Sequence, residues 1–314
     1  MLKFSPWPVR RSDAETYTPR MLQEWGCRTT DGHQLRVQGA PASAGYPIFV
    51  HPGTPGSRHM FVPTVAAAAD HGLRLICWDR PGYGERPGRP GRRTADVAQE
   101  AEAVAVALGV SRFATWGFSG GGAYALACAA LLPQHVSGAV VMAGLAPYDA
   151  PGLDWTGHLS PVSRAEVELF FTDPGTARDR HRIDADDWFK VLSRPEGWWA
   201  RWRDQAGKDE AHSPAVADHL ALVFHEAMRR GDEGWWEDWS AALSPWCFDV
   251  RDIRVPVQLW YGVGDLSVGA EHGRWLAEHI SGVNAHFLEG EDHTNLEALH
   301  QTQAWTWLVT TASD

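Results

Sequence analysis

Ser119 stands at the centre of the pattern G-x-S-x-G, within the run WGFSGGG. An apolar stretch, Ser111 to Trp116, precedes it and is typical of a buried strand, and the alanine-rich stretch Ala123 to Leu132 follows and is typical of a helix. A serine on a sharp strand-to-helix turn has a strained backbone, and small neighbours allow the turn to close. Such a turn lifts the hydroxyl clear of the sheet, so the pattern predicts a nucleophilic serine.

A serine hydroxyl needs a base to remove its proton, and the base needs an orienting partner. His293 lies in the segment EGEDHTNLE, after a predicted strand that ends near Leu288, and Asp265 lies in the segment GVGDLSV, after a predicted strand that ends at Tyr261. Sites in open α/β sheets assemble at the carboxyl ends of the strands. We therefore predict that Ser119, Asp265 and His293 act together.

A second aspartate competes for the role of orienting acid. Asp149 follows the predicted sixth strand, Val136 to Gly144, and remains the alternative to Asp265. Glu291 and Asp292 are too close to His293 along the chain to be preferred.

Two backbone N–H groups must stabilise the oxyanion that forms when a serine attacks a carbonyl. The residue after the nucleophile, Gly120, supplies one of them in this pattern. The second should come from a loop after an earlier strand, and the loop HPGTPGS, His51 to Ser57, follows the predicted strand Tyr46 to Val50. Thr54 is the candidate donor in that loop.

These residues require a sheet that brings several strand ends together. Two alternating segments, Leu22 to Thr29 and Gln34 to Gln38, flank Asp31-Gly32 and predict a β-hairpin. Apolar runs then alternate with helical patterns, which predicts a mainly parallel, doubly wound sheet. The predicted helices of this part are Val62 to His71, Thr94 to Leu108 and Ala123 to Leu132; those after the later strands are Ala270 to Ile280 and Asn295 to Thr310.

The alternation stops near Ala146 and resumes at Val255. The intervening helical segments are polar, and nine of the seventeen tryptophans fall there: Trp155, Trp188, Trp198, Trp199, Trp202, Trp235, Trp236, Trp239 and Trp246. We predict an N-terminal arm at residues 1–20, a core domain at 21–145 and 255–314, and a tryptophan-rich helical cap at 146–254.

Charge and composition argue against several classes of partner. The net charge is −11 and no cluster of basic residues is present, so neither nucleic acid nor an anionic membrane is expected as a partner. No apolar window is long enough to span a bilayer, and the N-terminus lacks the apolar region of a secretory signal. Four widely spaced cysteines indicate reduced thiols, so a cytoplasmic location is expected.

The chain resembles the α/β-hydrolase-fold serine hydrolases over roughly residues 22 to 312. The segments HPGTPGS, DRPGYG, GFSGGG, GVGD and GEDH carry the resemblance, in the order of that family. It implies a doubly wound, mainly parallel sheet of the eight-stranded type, with a helical cap between strands 6 and 7. It also implies that Ser119 is the nucleophile, His293 the base and then the acid, and Asp265 the orienting acid, with Thr54 and Gly120 as oxyanion donors.

Three details separate the chain from parts of the family. Many members have His-Gly where this chain has Pro52-Gly53, so a slightly different conformation is expected for the loop that carries Thr54. Epoxide hydrolases and haloalkane dehalogenases carry aspartate at the nucleophile position, so a serine disfavours both. The elbow GFSGGG also differs from the GGSWG usual in proline iminopeptidases.

The expected activity is hydrolysis of a small carboxylic ester, lactone or thioester through an acyl-enzyme, with no metal or organic cofactor. Phe118 and Trp155 are expected to contact an apolar or aromatic substrate. His212, His219 and His225 do not share one helical face, so a metal site is not expected. Alternatives are hydrolysis of a C–C or amide bond on the same residues, as in an aminopeptidase, and a ligand-binding or auxiliary protein without turnover. The oligomeric state stays open.

Overall fold

The computed structural model describes residues 22–198, 213–293 and 295–312. Its strands form one eight-stranded sheet in the order β1-β2-β4-β3-β5-β6-β7-β8. Strands β3 to β8 pair in parallel, whereas β1 pairs with β2 and β2 with β4 in antiparallel fashion. The β1–β2 pair is the predicted hairpin. The strands are β1 Gln23–Arg28, β2 Gln34–Gly39, β3 Tyr46–His51, β4 Leu73–Trp78, β5 Phe113–Phe118, β6 Val136–Met142, β7 Val257–Gly262 and β8 Asn284–Leu288.

Helices follow most of the parallel strands. Those with both ends in the described ranges are α1 Val62–Asp70, α2 Val97–Leu108, α3 Gly121–Leu131, α4 Pro161–Thr172, α5 Pro174–Leu192, α6 Pro214–Ala227, α7 Glu233–Ala242, α8 Ala270–His279 and α9 Leu296–Ala312. The helix that was predicted from Thr94 begins with a short 3-10 turn, Thr94–Asp96, and continues as α2. None of the described helices is both long and apolar enough to span a membrane.

Helices cover the sheet on both faces. Successive strand residues point to opposite faces, so Phe49 and Val141 pack in a core with α2, α3 and α8, whereas Ile48 and Val140 pack in a second core with α1 and α9. The fold is therefore the predicted α/β architecture with a doubly wound, mainly parallel sheet.

Helices α4 to α7 lie between β6 and β7 along the chain. Two small apolar clusters hold them, one around Phe224 and Leu192 and the other around Val167, Leu243 and Trp155. The predicted arm at residues 1–20, and Trp199 and Trp202 of the predicted cap, lie outside the described residues.

Candidate active site

Ser119 occupies the turn between β5 and α3. Its φ is +52°, a left-handed conformation that is uncommon for a residue with a side chain and marks a strained turn. The Ser119 N–H donates to the Met142 carbonyl at 2.9 Å, and the Gly122 N–H donates to the Ser119 carbonyl at 2.9 Å. A Cβ at Gly121 would collide with the His51 carbonyl, so the chain can make this turn only with a glycine there.

The structure brings Ser119, His293 and Asp265 together at the carboxyl edge of the sheet. His293 Nε2 lies 3.0 Å from Ser119 Oγ, and His293 Nδ1 lies 2.7 Å from Asp265 Oδ2. An ionised carboxylate only accepts hydrogen bonds, so Nδ1–H donates to Asp265 and leaves Nε2 to accept from the Ser119 hydroxyl. The three side chains form one continuous hydrogen-bonded chain.

Asp265 is fixed by the loop that follows β7. Its side chain is fully buried, while that of His293 is 20% exposed. Its second oxygen, Oδ1, accepts the backbone N–H groups of Ser267 at 2.7 Å and Val268 at 2.9 Å. The alternative acid, Asp149, is exposed to solvent. Of the two candidates, therefore, the structure places Asp265 against His293.

Thr54 and Gly120 lie beside each other next to Ser119. The approach is close: a Cβ on Gly120 would collide with Thr54 Oγ1, and a Cβ on Gly53 would lie 3.4 Å from the Ser119 Cβ. Within the described ranges, neither the Thr54 N–H nor the Gly120 N–H donates a hydrogen bond. The described residues next to Ser119 therefore include two whose N–H groups have no hydrogen-bond acceptor.

Ser119 and His293 lie in the wall of a cleft of about 2740 Å³, which extends as far as α9. Tryptophans from the segment between β6 and β7 line it: Trp155, Trp188, Trp198, Trp235 and Trp239. Phe118 also lines the cleft, and its ring centroid lies 5.0 Å from that of His293. Trp155 is only 5% exposed and donates its indole N–H to the Ala146 carbonyl at 2.9 Å, so part of its surface packs in the core.

Trp236 and Trp246 do not line this cleft. Trp246 is 2% exposed and packs in the core with α2, α3 and α8. Trp236 lines a separate surface pocket near Arg178. The described tryptophans of this segment thus divide between the cleft, a separate surface pocket and the packed core.

A buried cluster of charges, which the sequence analysis did not identify, lies beside the Thr54 loop. Asp238 of α7 accepts hydrogen bonds from Arg80, Arg92, Tyr83, Tyr124 and Thr54. Burial opposes ionisation of Asp238, but the Arg80 and Arg92 guanidinium groups outweigh it and hold the pKa of this carboxyl well below its usual range.

The sequence contains a signal for this cluster. The segment DRPGYG, which contains Arg80, predicts only a structural turn that shapes the rim of the site. Asp238, however, follows Trp235 by three residues and precedes Trp239 and Ala242 on the same helical stripe, and all four face the cleft. An acid within an apolar stripe requires a buried partner.

Glu297 of α9 is a second carboxyl close to the site. Its Oε1 accepts the Trp116 indole N–H at 2.9 Å. Burial raises the pKa of Glu297, although the Trp116 hydrogen bond and the charge of His293 act in the opposite direction. No sequence motif pointed to this residue.

No group of three or more His, Cys, Asp or Glu side chains in the described part of the chain could hold a metal ion. His212 lies outside the described residues. His219 is half-buried in the cleft wall beside the Phe61 ring, and its partial removal from water lowers its pKa to about 4.

Known proteins with the same architecture are numerous. A sequence model of the α/β hydrolase fold matches residues 46–204, which is just over half of the 314 residues. An α/β hydrolase fold protein from Nakamurella multipartita has 20% identity and a TM-score of 0.66, with 93% of this chain and 100% of that chain covered. An enol-lactonase from Burkholderia xenovorans has 19% identity and a TM-score of 0.63, with coverage of 92% and 100%.

An esterase from Exiguobacterium antarcticum is similar to the same extent, with 18% identity, a TM-score of 0.64, and coverage of 93% of this chain and 100% of that chain. At these identities the structural likeness establishes the fold, and the sequence match establishes the family. The eight-stranded sheet and the match over residues 46–204 agree: the chain belongs to the α/β hydrolase fold family.

Proposed function

We propose that this protein is a serine hydrolase that cleaves a carboxylic ester, lactone or thioester through an acyl-enzyme. The observation that carries the proposal is the position of His293, with one ring nitrogen 3.0 Å from Ser119 Oγ and the other 2.7 Å from Asp265 Oδ2. A nucleophile, a base and an orienting acid in this order are the parts that acyl transfer needs.

In the first half of the reaction, Ser119 Oγ attacks the substrate carbonyl carbon while His293 Nε2 takes the hydroxyl proton. The histidine is then positively charged, and the buried Asp265 carboxylate stabilises that charge. When the tetrahedral intermediate collapses, its bond to the leaving group breaks, and His293 gives its proton to the departing alcohol or thiol. The acyl group remains on Ser119.

In the second half, a water molecule replaces the leaving group. His293 Nε2 takes a proton from this water as it attacks the acyl carbon, and a second tetrahedral intermediate forms. Its collapse breaks the bond to Ser119 Oγ, which recovers the proton from His293. The carboxylic acid leaves, and the enzyme returns to its initial state.

Both tetrahedral intermediates carry a negative oxygen. In the proposed mechanism the Thr54 and Gly120 N–H groups bind it, which is supported by their position beside Ser119 and by their having no acceptor within the described residues. Donors that are fixed before the reaction need no reorganisation, and each contributes about 3–4 kcal/mol to the transition state.

The walls of the cleft favour an apolar or aromatic substrate group. Tryptophan and phenylalanine side chains offer large apolar areas, and Phe118 and Trp155 are the proposed substrate contacts. In this proposal residues 146–254 act as a cap above a core domain of residues 21–145 and 255–314. The position of α4 to α7 between β6 and β7, with tryptophans facing the cleft, supports that division.

Turnover of a substrate panel by the wild type and Ser119→Ala tests the proposal. The panel contains p-nitrophenyl esters with short aliphatic and aromatic acyl groups, a lactone, a thioester and an aminoacyl amide. We expect the wild type to hydrolyse oxygen or sulfur esters or the lactone, and Ser119→Ala to lose about 10⁴-fold or more in kcat, because no other nucleophile replaces the hydroxyl.

The esterase and enol-lactonase among the structural neighbours make these substrates the first to test. Hydrolysis that survives in Ser119→Ala would contradict the mechanism. Hydrolysis of the aminoacyl amide alone would contradict the proposed substrate class while leaving the mechanism in place.

A further inference from the structure

The carboxylate of Asp238 receives hydrogen bonds from an unusually large set of donors. Tyr83 Oη and Tyr124 Oη donate at 2.7 and 2.8 Å, and the Arg80 guanidinium donates at 2.6 Å. Arg92 is a further donor. The Asp238 side chain is 2% exposed and that of Arg80 is 3% exposed, so solvent does not compete for these bonds.

The same cluster holds the loop that carries Thr54. Thr54 Oγ1 donates to Asp238 Oδ2 at 2.7 Å. Arg80 Nη1 donates to the Pro52 carbonyl at 2.8 Å, and Arg80 Nη2 donates to the Gly53 carbonyl at 3.0 Å. Three consecutive residues of the loop are therefore bound to Asp238 or to its partner Arg80, so these bonds restrict rotation of the Thr54 backbone.

Helix α7 connects this cluster to the cleft. Its residues Trp235 and Trp239 line the cleft above Ser119, and Asp238 lies between them on the same stripe. The helix is also seated closely on the loop after β4, since a Cβ on Gly234 would lie 2.8 Å from the Tyr83 ring and from the Gly82 carbonyl carbon. A shift of α7 would move the cleft wall and Asp238 together.

A buried ion pair is not by itself a sign of stability, because removing two charges from water costs about as much as their attraction returns. A cluster that binds a loop beside the reacting serine is therefore better explained by orientation than by stability. The neighbouring ion pair of Arg92 and Glu237, at 3.2 Å, is buried to a similar degree as the pair of Arg80 and Asp238. Unlike Asp238, Glu237 makes no hydrogen bond to residues 52–57 in the described structure.

We infer that Asp238 is a positioning residue that, together with Arg80, couples the seating of α7 over the cleft to the orientation of the Thr54 N–H beside Ser119. The inference rests on the proposed function, because the Thr54 N–H matters only if an oxyanion forms there. An oxyanion donor acts mainly in the transition state. Loss of Asp238 should consequently lower kcat and leave KM nearly unchanged.

The experiment compares Asp238→Asn with Glu237→Gln, which removes a charge from the same helix and the same buried region without touching the loop. A second pair, Thr54→Val and Thr54→Ser, removes or retains only the hydroxyl that binds Asp238, and it keeps the test valid if Asp238→Asn does not fold. Rates are expressed per active site, titrated with a fluorophosphonate, so that unfolded protein does not count. Inhibition by a trifluoromethyl ketone, which forms a tetrahedral adduct with a serine, reports on the oxyanion donors.

We expect Asp238→Asn and Thr54→Val each to lower kcat per active site by about tenfold or more, while KM changes less than about threefold. The inhibition constant of the ketone should rise by a factor similar to the loss in kcat. Glu237→Gln should change kcat less than about threefold. The kcat of Thr54→Ser should be about fivefold or more above that of Thr54→Val.

Equal effects of Asp238→Asn and Glu237→Gln, or equal rates for the two Thr54 variants, would overturn the inference and leave the proposed function standing. A wild-type protein that is neither labelled at Ser119 nor active on the panel would overturn both. The two failures are therefore distinguishable.

Discussion

The histidine in the proposed site can act as a base only if its ring presents the unprotonated nitrogen to the serine. Asp265 accepts the Nδ1–H of His293 and is itself held by the Ser267 and Val268 N–H groups. Ring orientation and tautomer are thus both set by one buried carboxylate.

We predict that Asp265→Asn lowers kcat by about 10³–10⁴-fold, because an amide N–H facing Nδ1 favours the tautomer whose Nε2 carries the proton. Steady-state kinetics on the best panel substrate measure the loss. Asp149→Asn is the matched control at the alternative acid, which is exposed to solvent, and its kcat should stay within about twofold of the wild type. If Asp149→Asn lost as much kcat as Asp265→Asn, the assignment of the acid role to Asp265 would be wrong.

At the scale of residues, the sequence can indicate where a side chain lies when the residue directly follows a predicted strand. Ser119, Asp265 and His293 each follow a parallel strand, and the carboxyl ends of parallel strands meet at one edge. Asp238 follows no strand, and its partners Arg80 and Thr54 are more than 150 residues away. Only the packing of α7 brings them together, and a single sequence does not contain that contact.

At the scale of elements, the strand that carries Ser119 differs from its predicted bounds. The apolar run predicted a strand over Ser111 to Trp116, whereas β5 spans Phe113–Phe118. The parallel pairing with β6 continues through Gly117 and Phe118, opposite Val141 and Met142. Gly117 has little strand propensity, so the sequence pattern ended before it, and the pairing with β6 extends the strand through Phe118.

Helix α7 depends on a glycine for its close seating. Gly234→Ala should lower the free energy of unfolding by about 1–3 kcal/mol, because the added methyl group meets the Gly82 backbone and the Tyr83 ring at 2.8 Å. Urea denaturation measures the change. Gly175→Ala in α5 is the matched control, since its new Cβ would lie 3.5 Å from the Asp173 side chain, an ordinary contact.

The helical preference of alanine should make the Gly175 variant neutral or more stable by about 0.4–1 kcal/mol. If Gly234→Ala were as stable as Gly175→Ala, α7 would have room to move on the loop after β4. Tight packing of α7 on the loop after β4 could then not explain how Asp238 stays in place against the Thr54 loop.

At the scale of the whole molecule, a buried histidine joins the sheet region to the segment after β6. His272 of α8 is fully buried, its Nδ1 accepts the Ala146 N–H at 3.1 Å, and its Nε2 donates to the Trp155 carbonyl at 3.2 Å. Burial, with a smaller contribution from His158, lowers the pKa of His272 to about 3.

The folded protein should therefore lose stability in mild acid. The unfolded chain binds a proton at His272 near pH 6.5, while the folded chain does not until about pH 3, so the free energy of unfolding falls as the pH decreases through this window. One such group contributes a slope of about 1.4 kcal/mol per pH unit. His272→Asn keeps an acceptor for the Ala146 N–H and removes the titration.

Urea denaturation between pH 7 and pH 4 measures this slope. We expect the slope of the His272→Asn variant to be smaller than that of the wild type by about one proton, even though the variant is less stable at pH 7. An identical slope in the two proteins would show that His272 takes up a proton without unfolding.

The overall architecture could be predicted because strand and helix patterns alternate along the sequence, and this alternation is typical of a parallel sheet. What covers the site could not be predicted in the same way. The nine tryptophans between Ala146 and Val255 indicated apolar packing, but whether each indole faces the cleft, as Trp239 does, or the core, as Trp246 does, depends on tertiary contacts.

Covalent labelling tests most directly whether Ser119 is the nucleophile. The wild type and Ser119→Ala are incubated with a fluorophosphonate and with a slow p-nitrophenyl ester quenched in acid, and the modified peptide is located by mass spectrometry. We predict one adduct per wild-type molecule, on the peptide that contains Ser119, and none on Ser119→Ala. An adduct that persists in Ser119→Ala, or a wild-type protein that hydrolyses the ester without ever carrying an acyl group on Ser119, would contradict the account.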